Sequence, residues 1–101
     1  MERKFLIMAR FGSGYIGSSQ IMVSTAQQEL IPSPPVNWNT KYNLYKFTFM
    51  NDQDCSVLIN DNTTAIFLRA GQGFETNDSD APIYSFKIVE AGITFNFVGA
   101  Y

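Results

Sequence analysis

The most constraining feature of this sequence is a side-chain period of two, carried largely by aromatic rings. Tyr45, Phe47 and Phe49 alternate with Leu44, Lys46, Thr48 and Met50. Tyr84, Phe86 and Ile88 alternate with Ser85, Lys87 and Val89, and Ile93, Phe95 and Phe97 with Thr94, Asn96 and Val98. Near the start, Phe5, Ile7, Ala9 and Phe11 alternate with Leu6, Met8 and Arg10. Successive strand residues point to opposite faces, so each run predicts a strand with one face in a core. Rings and β-branched side chains suit a half-buried pleated surface.

The residues between these runs are turn formers. Asn51-Asp52-Gln53-Asp54 leads into a strand at 56–60, and Asn60-Asp61-Asn62-Thr63 leads into another at 65–69. Ala70-Gly71-Gln72-Gly73 precedes a short run at Phe74–Thr76, residues 77–82 form a longer loop, and Glu90-Ala91-Gly92 links the last two strands. Asn, Asp and Gly tolerate the left-handed backbone that such links need. Residues 18–30 are the one helical candidate. Ala26 to Leu30 favour helix, but Ile21 to Thr25 favour strand, and strand is the preferred reading. Pro32-Ser33-Pro34-Pro35 then forces an extended stretch. With 101 residues there is room for one domain. The expected fold is all-β, a small antiparallel β-sandwich or jelly-roll-like barrel with an N-terminal extended arm. Residues 1–40 would be strand, arm and linker, and residues 41–101 the body.

Charge separates these two parts. Residues 1–40 balance at +1 and residues 41–101 at −3, and from residue 11 to residue 40 the only charge is Glu29. A segment so poor in charge is built to lie against something, either its own domain or another subunit. No basic stripe exists for phosphates, so no nucleic-acid partner is expected. No run approaches the roughly 20 apolar residues of a membrane helix, so no membrane partner is expected. Synthesis in the cytoplasm is expected, because the apolar run after the basic start is cut short by Arg10.

Familiar catalysis lacks its parts. The chain has no histidine, which removes the Ser-His-Asp triad, the Cys-His dyad and the imidazole base. Cys55 alternates with Val57 and Ile59, as a buried thiol would, and neighbouring Asp52 and Asp54 would raise its pKa. Gly12-Ser13-Gly14-Tyr15-Ile16-Gly17 matches the dinucleotide fingerprint G-x-G-x-x-G. That fingerprint needs a following helix and an acid about 20 residues on. Here β-branched residues and prolines follow, so the glycines read as a flexible turn. Asp52, Asp54, Asp61, Asp78 and Asp80 are oxygen ligands in loops, yet their spacing lacks the glycine and bidentate glutamate of a calcium loop. No enzyme, cofactor or metal is expected.

The run Phe67-Leu68-Arg69-Ala70-Gly71-Gln72-Gly73-Phe74-Glu75, then Ala81-Pro82-Ile83-Tyr84-Ser85-Phe86-Lys87-Ile88, then residues 93–101, resembles small β-rich bacteriophage structural modules. These are capsid decoration, head-fibre and tail accessory proteins, and the resemblance covers residues 44–101. It implies a non-enzymatic virion protein that assembles as a homo-oligomer, a trimer by analogy, on a capsid or tail protein. Fifteen aromatic residues look like more than one thin core needs, which also points to subunit contacts. The candidate contact residues are Phe11, Tyr15, Ile16, Trp38 and Tyr42. Trp38 and Tyr42, set among Asn37, Asn39 and Asn43, carry the alternative of a module binding glycan or another host surface. A phage-encoded inhibitor of a host protein is a further alternative.

Overall fold

The computed structural model describes residues 14–101. The alternating run at 5–11, the candidate contact Phe11, and Gly12 and Ser13 of the glycine motif lie outside the described residues. None of the described residues forms a helix.

Among the described residues, nine strands form two antiparallel sheets. β1 (Tyr15–Gly17), β2 (Met22–Val23), β4 (Lys46–Asn51), β7 (Phe74–Thr76) and β9 (Thr94–Ala100) make the first. Its order is β1-β9-β4-β7, with β2 also on β9. β3 (Gln28–Glu29), β5 (Cys55–Ile59), β6 (Ile66–Leu68) and β8 (Phe86–Ile88) make the second, in the order β3-β8-β5-β6. Only the β1–β2 and β5–β6 links stay within a sheet. Every other link crosses between the sheets, giving a jelly-roll-like path through a small β-sandwich.

The period of two places the core. In β4, Phe47, Phe49 and Asn51 are buried, while Lys46 and Met50 are exposed. β9 pairs with β4 so that Phe49 faces Phe97 and Asn51 faces Phe95. From the second sheet, Phe86 reaches across to Phe47 and Phe49, each at 4.8 Å between ring centroids, and to Phe74 at 5.8 Å. All are tilted pairs, the arrangement that ring quadrupoles favour. Burying one such ring contributes roughly 1.5–3 kcal/mol. Gly99 sits opposite Phe47 because a Cβ there would come 2.6 Å from Leu44 Cδ1.

The segment before the prolines belongs to both sheets. β1 and β2 form a broken edge strand along β9, and β3 is an edge of the second sheet. Residues 14–31 are thus strands of the sandwich itself, joined by a turn at 26–27, and they lie against their own domain. The helical alternative at 18–30 fails at Gln27, whose φ of 56° is left-handed and whose N–H donates to the Val89 carbonyl.

Polar side chains lock the ends of the sandwich. Buried Asn51 donates to the Gln53 and Arg69 carbonyls at 2.8 and 2.9 Å and accepts from Gly73 N–H at 2.9 Å. Asn60 donates to the Pro82 carbonyl at 2.9 Å and accepts from Tyr84 N–H at 2.9 Å. Ser24 donates to the Glu90 carbonyl and accepts from Ile93 N–H. The bonds from the Gly73 and Ile93 N–H groups satisfy buried donors that would be costly to leave unpaired.

Candidate contact surface

The outward-facing residues of the first sheet form one continuous face. Register sets Tyr15 beside Ala100 and Lys46, and Gly17 beside Val98, Thr48 and Glu75. Met50 lies beside Asn96, and Val23 beside Thr94. On this face Tyr15 is 77%, Val23 64%, Val98 47% and Met50 41% exposed. Lys46 and Glu75 are its charges. Gly17 keeps Val98 uncovered, because a Cβ there would stand 2.6 Å from the Phe97 carbonyl oxygen and so cannot be added without moving the strand.

The outer face of the second sheet differs. Glu29 and Lys87 are register partners, and so are Leu58 and Lys87. Phe67, opposite Ser56, is its large exposed ring. Glu29 does not stand in solvent as a lone surface charge. Its carboxylate accepts from Ser85 Oγ at 2.6 Å, Phe86 N–H at 2.7 Å and Ile31 N–H at 3.2 Å. The single charge of residues 11–40 is therefore an exposed strut that ties β3 to β8.

The sequence-nominated contact residues separate on inspection. Tyr15 is exposed on the first sheet's outer face. Ile16 points inward and packs on the core. Tyr42 is buried, and Trp38 is half-buried. Trp38, Tyr42 and Tyr101 form an edge-to-face trio, with Trp38–Tyr42 and Tyr42–Tyr101 at 4.9 Å and Trp38–Tyr101 at 5.5 Å. Buried Tyr42 offers no open ring face for a sugar. Trp38 pins the proline-rich link onto the sheet end, the role that large aromatics usually play. Tyr101 is held by two backbone bonds with Gly14, at 2.9 and 3.1 Å, which brings the trio beside β1. Sequence reading passed over Tyr101 because it stands outside the alternating run.

The apparent surplus of rings also shrinks. Phe47, Phe49, Phe86, Phe95 and Tyr42 are core residues, and Phe74, Phe97, Trp38 and Tyr101 pack against it. Tyr15 and Phe67 are the exposed rings among the described residues. What remains exposed on the first sheet is an apolar face around Tyr15 and not an excess of aromatics.

Cys55 is 1% exposed, and its thiol is pushed up to about 11, chiefly by burial and then by the Glu90 and Asp54 carboxylates. Among the loop acids, Asp54 accepts from Ala70 N–H at 2.8 Å and Asp80 from Asn77 N–H at 3.0 Å, so both cap turns. Of the former glycine motif, Tyr15–Gly17 is strand β1, with no helix after it. Comparison with protein-family models, curated proteins and solved structures finds no match for this chain.

Proposed function

We propose that this chain is a non-enzymatic structural subunit that works by assembling with copies of itself through the outer face of the first sheet. The observation that carries this reading is the apolar surface of Tyr15, Val23, Met50 and Val98 on and beside β4 and β9, whose opposite faces already fill the core. An exposed apolar patch on a small β-sandwich is the kind of surface that subunit contacts cover. Lys46 and Glu75 mark two places on that face, so one copy's ammonium can meet the next copy's carboxylate. The resemblance of residues 44–101 to phage structural modules makes a virion the proposed setting, with a capsid or tail surface as the docking partner.

Light scattering on the purified protein tests the assembly. A mass that is a multiple of 11.4 kDa at micromolar concentration is expected. A monodisperse 11.4 kDa species across that range contradicts it.

A further inference from the structure

Register fixes where each outward residue of the first sheet stands. Tyr15, Ala100 and Lys46 share one row across β1, β9 and β4. Two residues further along β4, Thr48 stands between Val98 and Glu75. Two further still, Met50 lies against Gly73, where a Cβ would come 2.6 Å from Met50 Sδ. A cleft of about 330 Å³ opens beside them, lined by Thr48, Met50, Gln72, Gly73 and Glu75. Gly73 has no side chain to fill it. The face thus carries a projecting ring at one corner, Tyr15, and a recess at the corner diagonally opposite. Strands lie about 4.8 Å apart and rise about 3.3 Å per residue, so the recess is about 13 Å from Tyr15 along the strands and about 12 Å across them. Tyr15 cannot reach the recess of its own chain.

We infer that two copies pair face to face about a two-fold axis, with the Tyr15 ring of each seated in the Met50–Gly73 recess of the other. The inference rests on the self-assembly reading and says how the two surfaces meet. Ring and recess are displaced almost equally along and across the strands. The axis that exchanges them therefore runs at roughly 45° to the strands and passes midway, between Thr48 and Val98. Strands of the two copies then cross at about 90°, one of the two angles at which sheets stack. The same rotation, with no further adjustment, sets Lys46 of one copy over Glu75 of the other, within about 4 Å in the plane of the sheet. Opposite charges thus meet twice, once on each side of the axis, and Val98 meets its counterpart at the centre. In the recess, the Met50 sulfur offers the ring a favourable contact. Thr48, Gln72 and Glu75 edge it with acceptors for the phenol O–H. An isologous contact of this kind closes at two copies.

Cross-linking and sedimentation velocity test it together. Tyr15→p-benzoyl-phenylalanine, irradiated and digested, should give a covalent dimer whose cross-link joins position 15 to residues 48–50 or 72–75. The wild type should sediment at twice 11.4 kDa, with no larger species as concentration rises. Lys46 and Glu75 are exposed, so K46E and E75K should keep the native circular dichroism. Each alone should dissociate at least tenfold more readily than the wild type. In an equimolar mixture of the two, both charge pairs are again opposite, and the dimer should return to within threefold of wild-type affinity. Mixing repairs only a contact between copies, so an ion pair within one chain cannot mimic it. A wild type that stays at 11.4 kDa overturns both this inference and the self-assembly reading. A wild type that assembles overturns this inference alone if it grows beyond two copies, cross-links position 15 elsewhere, is not weakened by K46E, or is not recovered by the mixture.

Discussion

The two faces of β4 and β9 are built from the same residues in alternation, yet they meet different surroundings. Inward, Phe47, Phe49, Phe95 and Phe97 face Phe86 and its neighbours on the second sheet. Outward, Thr48, Met50, Asn96 and Val98 face nothing in the described chain. The inner face decides whether the chain folds. The outer face is the one proposed to meet a second copy. A substitution should therefore be sorted by its parity in the strand more than by its place along it.

The largest effect should come from Phe86→Ala. It removes the ring that Phe47, Phe49 and Phe74 share, at a cost of roughly 3–5 kcal/mol in a domain whose whole stability is of order 5–15 kcal/mol. Urea denaturation should show a midpoint shifted far down or no cooperative transition. A native-like midpoint would mean that the inner face does not carry the fold.

Asn51→Ala comes next. It leaves the buried Gly73 N–H without its partner and takes one bond each from the Gln53 and Arg69 carbonyls, of which the Arg69 carbonyl keeps the Gln72 N–H, and should cost roughly 1–3 kcal/mol in the same experiment. Glu29→Gln should cost less, about 1–2 kcal/mol, because it keeps the shape and weakens charge-assisted bonds. Amide exchange at Ile31 and Phe86 should quicken before the rest of the second sheet does. Equal quickening everywhere would deny that Glu29 acts locally on β3 and β8.

Cys55 gives the inner face a pH signature. Its folded pKa, about 11, lies above the ordinary 9.0, so the unfolded chain loses that proton first. The thiol's contribution to stability is complete below about pH 9 and is lost as pH rises from 9 towards 11. Denaturation midpoints of the wild type should fall over that interval more than those of Cys55→Ala. Thiol labelling at pH 8 should proceed only as fast as the chain opens, and labelling at the rate of a small thiol would contradict the burial.

Much of this architecture is legible in the sequence. The alternation places β4, β5, β8 and β9 within a residue or two, since a period of two with rings on one side leaves little choice of face. The struts are not legible. Glu29 acts on Ser85 and Phe86, and Ser24 on Glu90 and Ile93, across most of the chain. Glu90 raises the Cys55 pKa although the acids beside Cys55 in sequence are Asp52 and Asp54. Side-chain bonds to distant backbone leave no periodic trace. The charge-poor segment was legible as something that lies against a surface. That the surface includes its own β8 and β9 rests on backbone pairing, to which composition is blind. Trp38 reads first as an anchor for the linker and second as an exposed platform, and its contacts with Tyr42 and Tyr101 show it anchored.

The smallest effect on stability should be the most informative for function. Val98→Lys and Phe67→Lys each put an ammonium on an exposed site, one on the outer face of each sheet, and both should change stability by less than about 0.5 kcal/mol. Sedimentation velocity on the wild type and both variants at one micromolar-range concentration then tests the central claim. The wild type and Phe67→Lys should sediment together as an oligomer, and Val98→Lys as a monomer. A wild type that is already monomeric, or a Val98→Lys protein that remains assembled, would contradict the assignment of the first sheet's outer face as the place where copies meet.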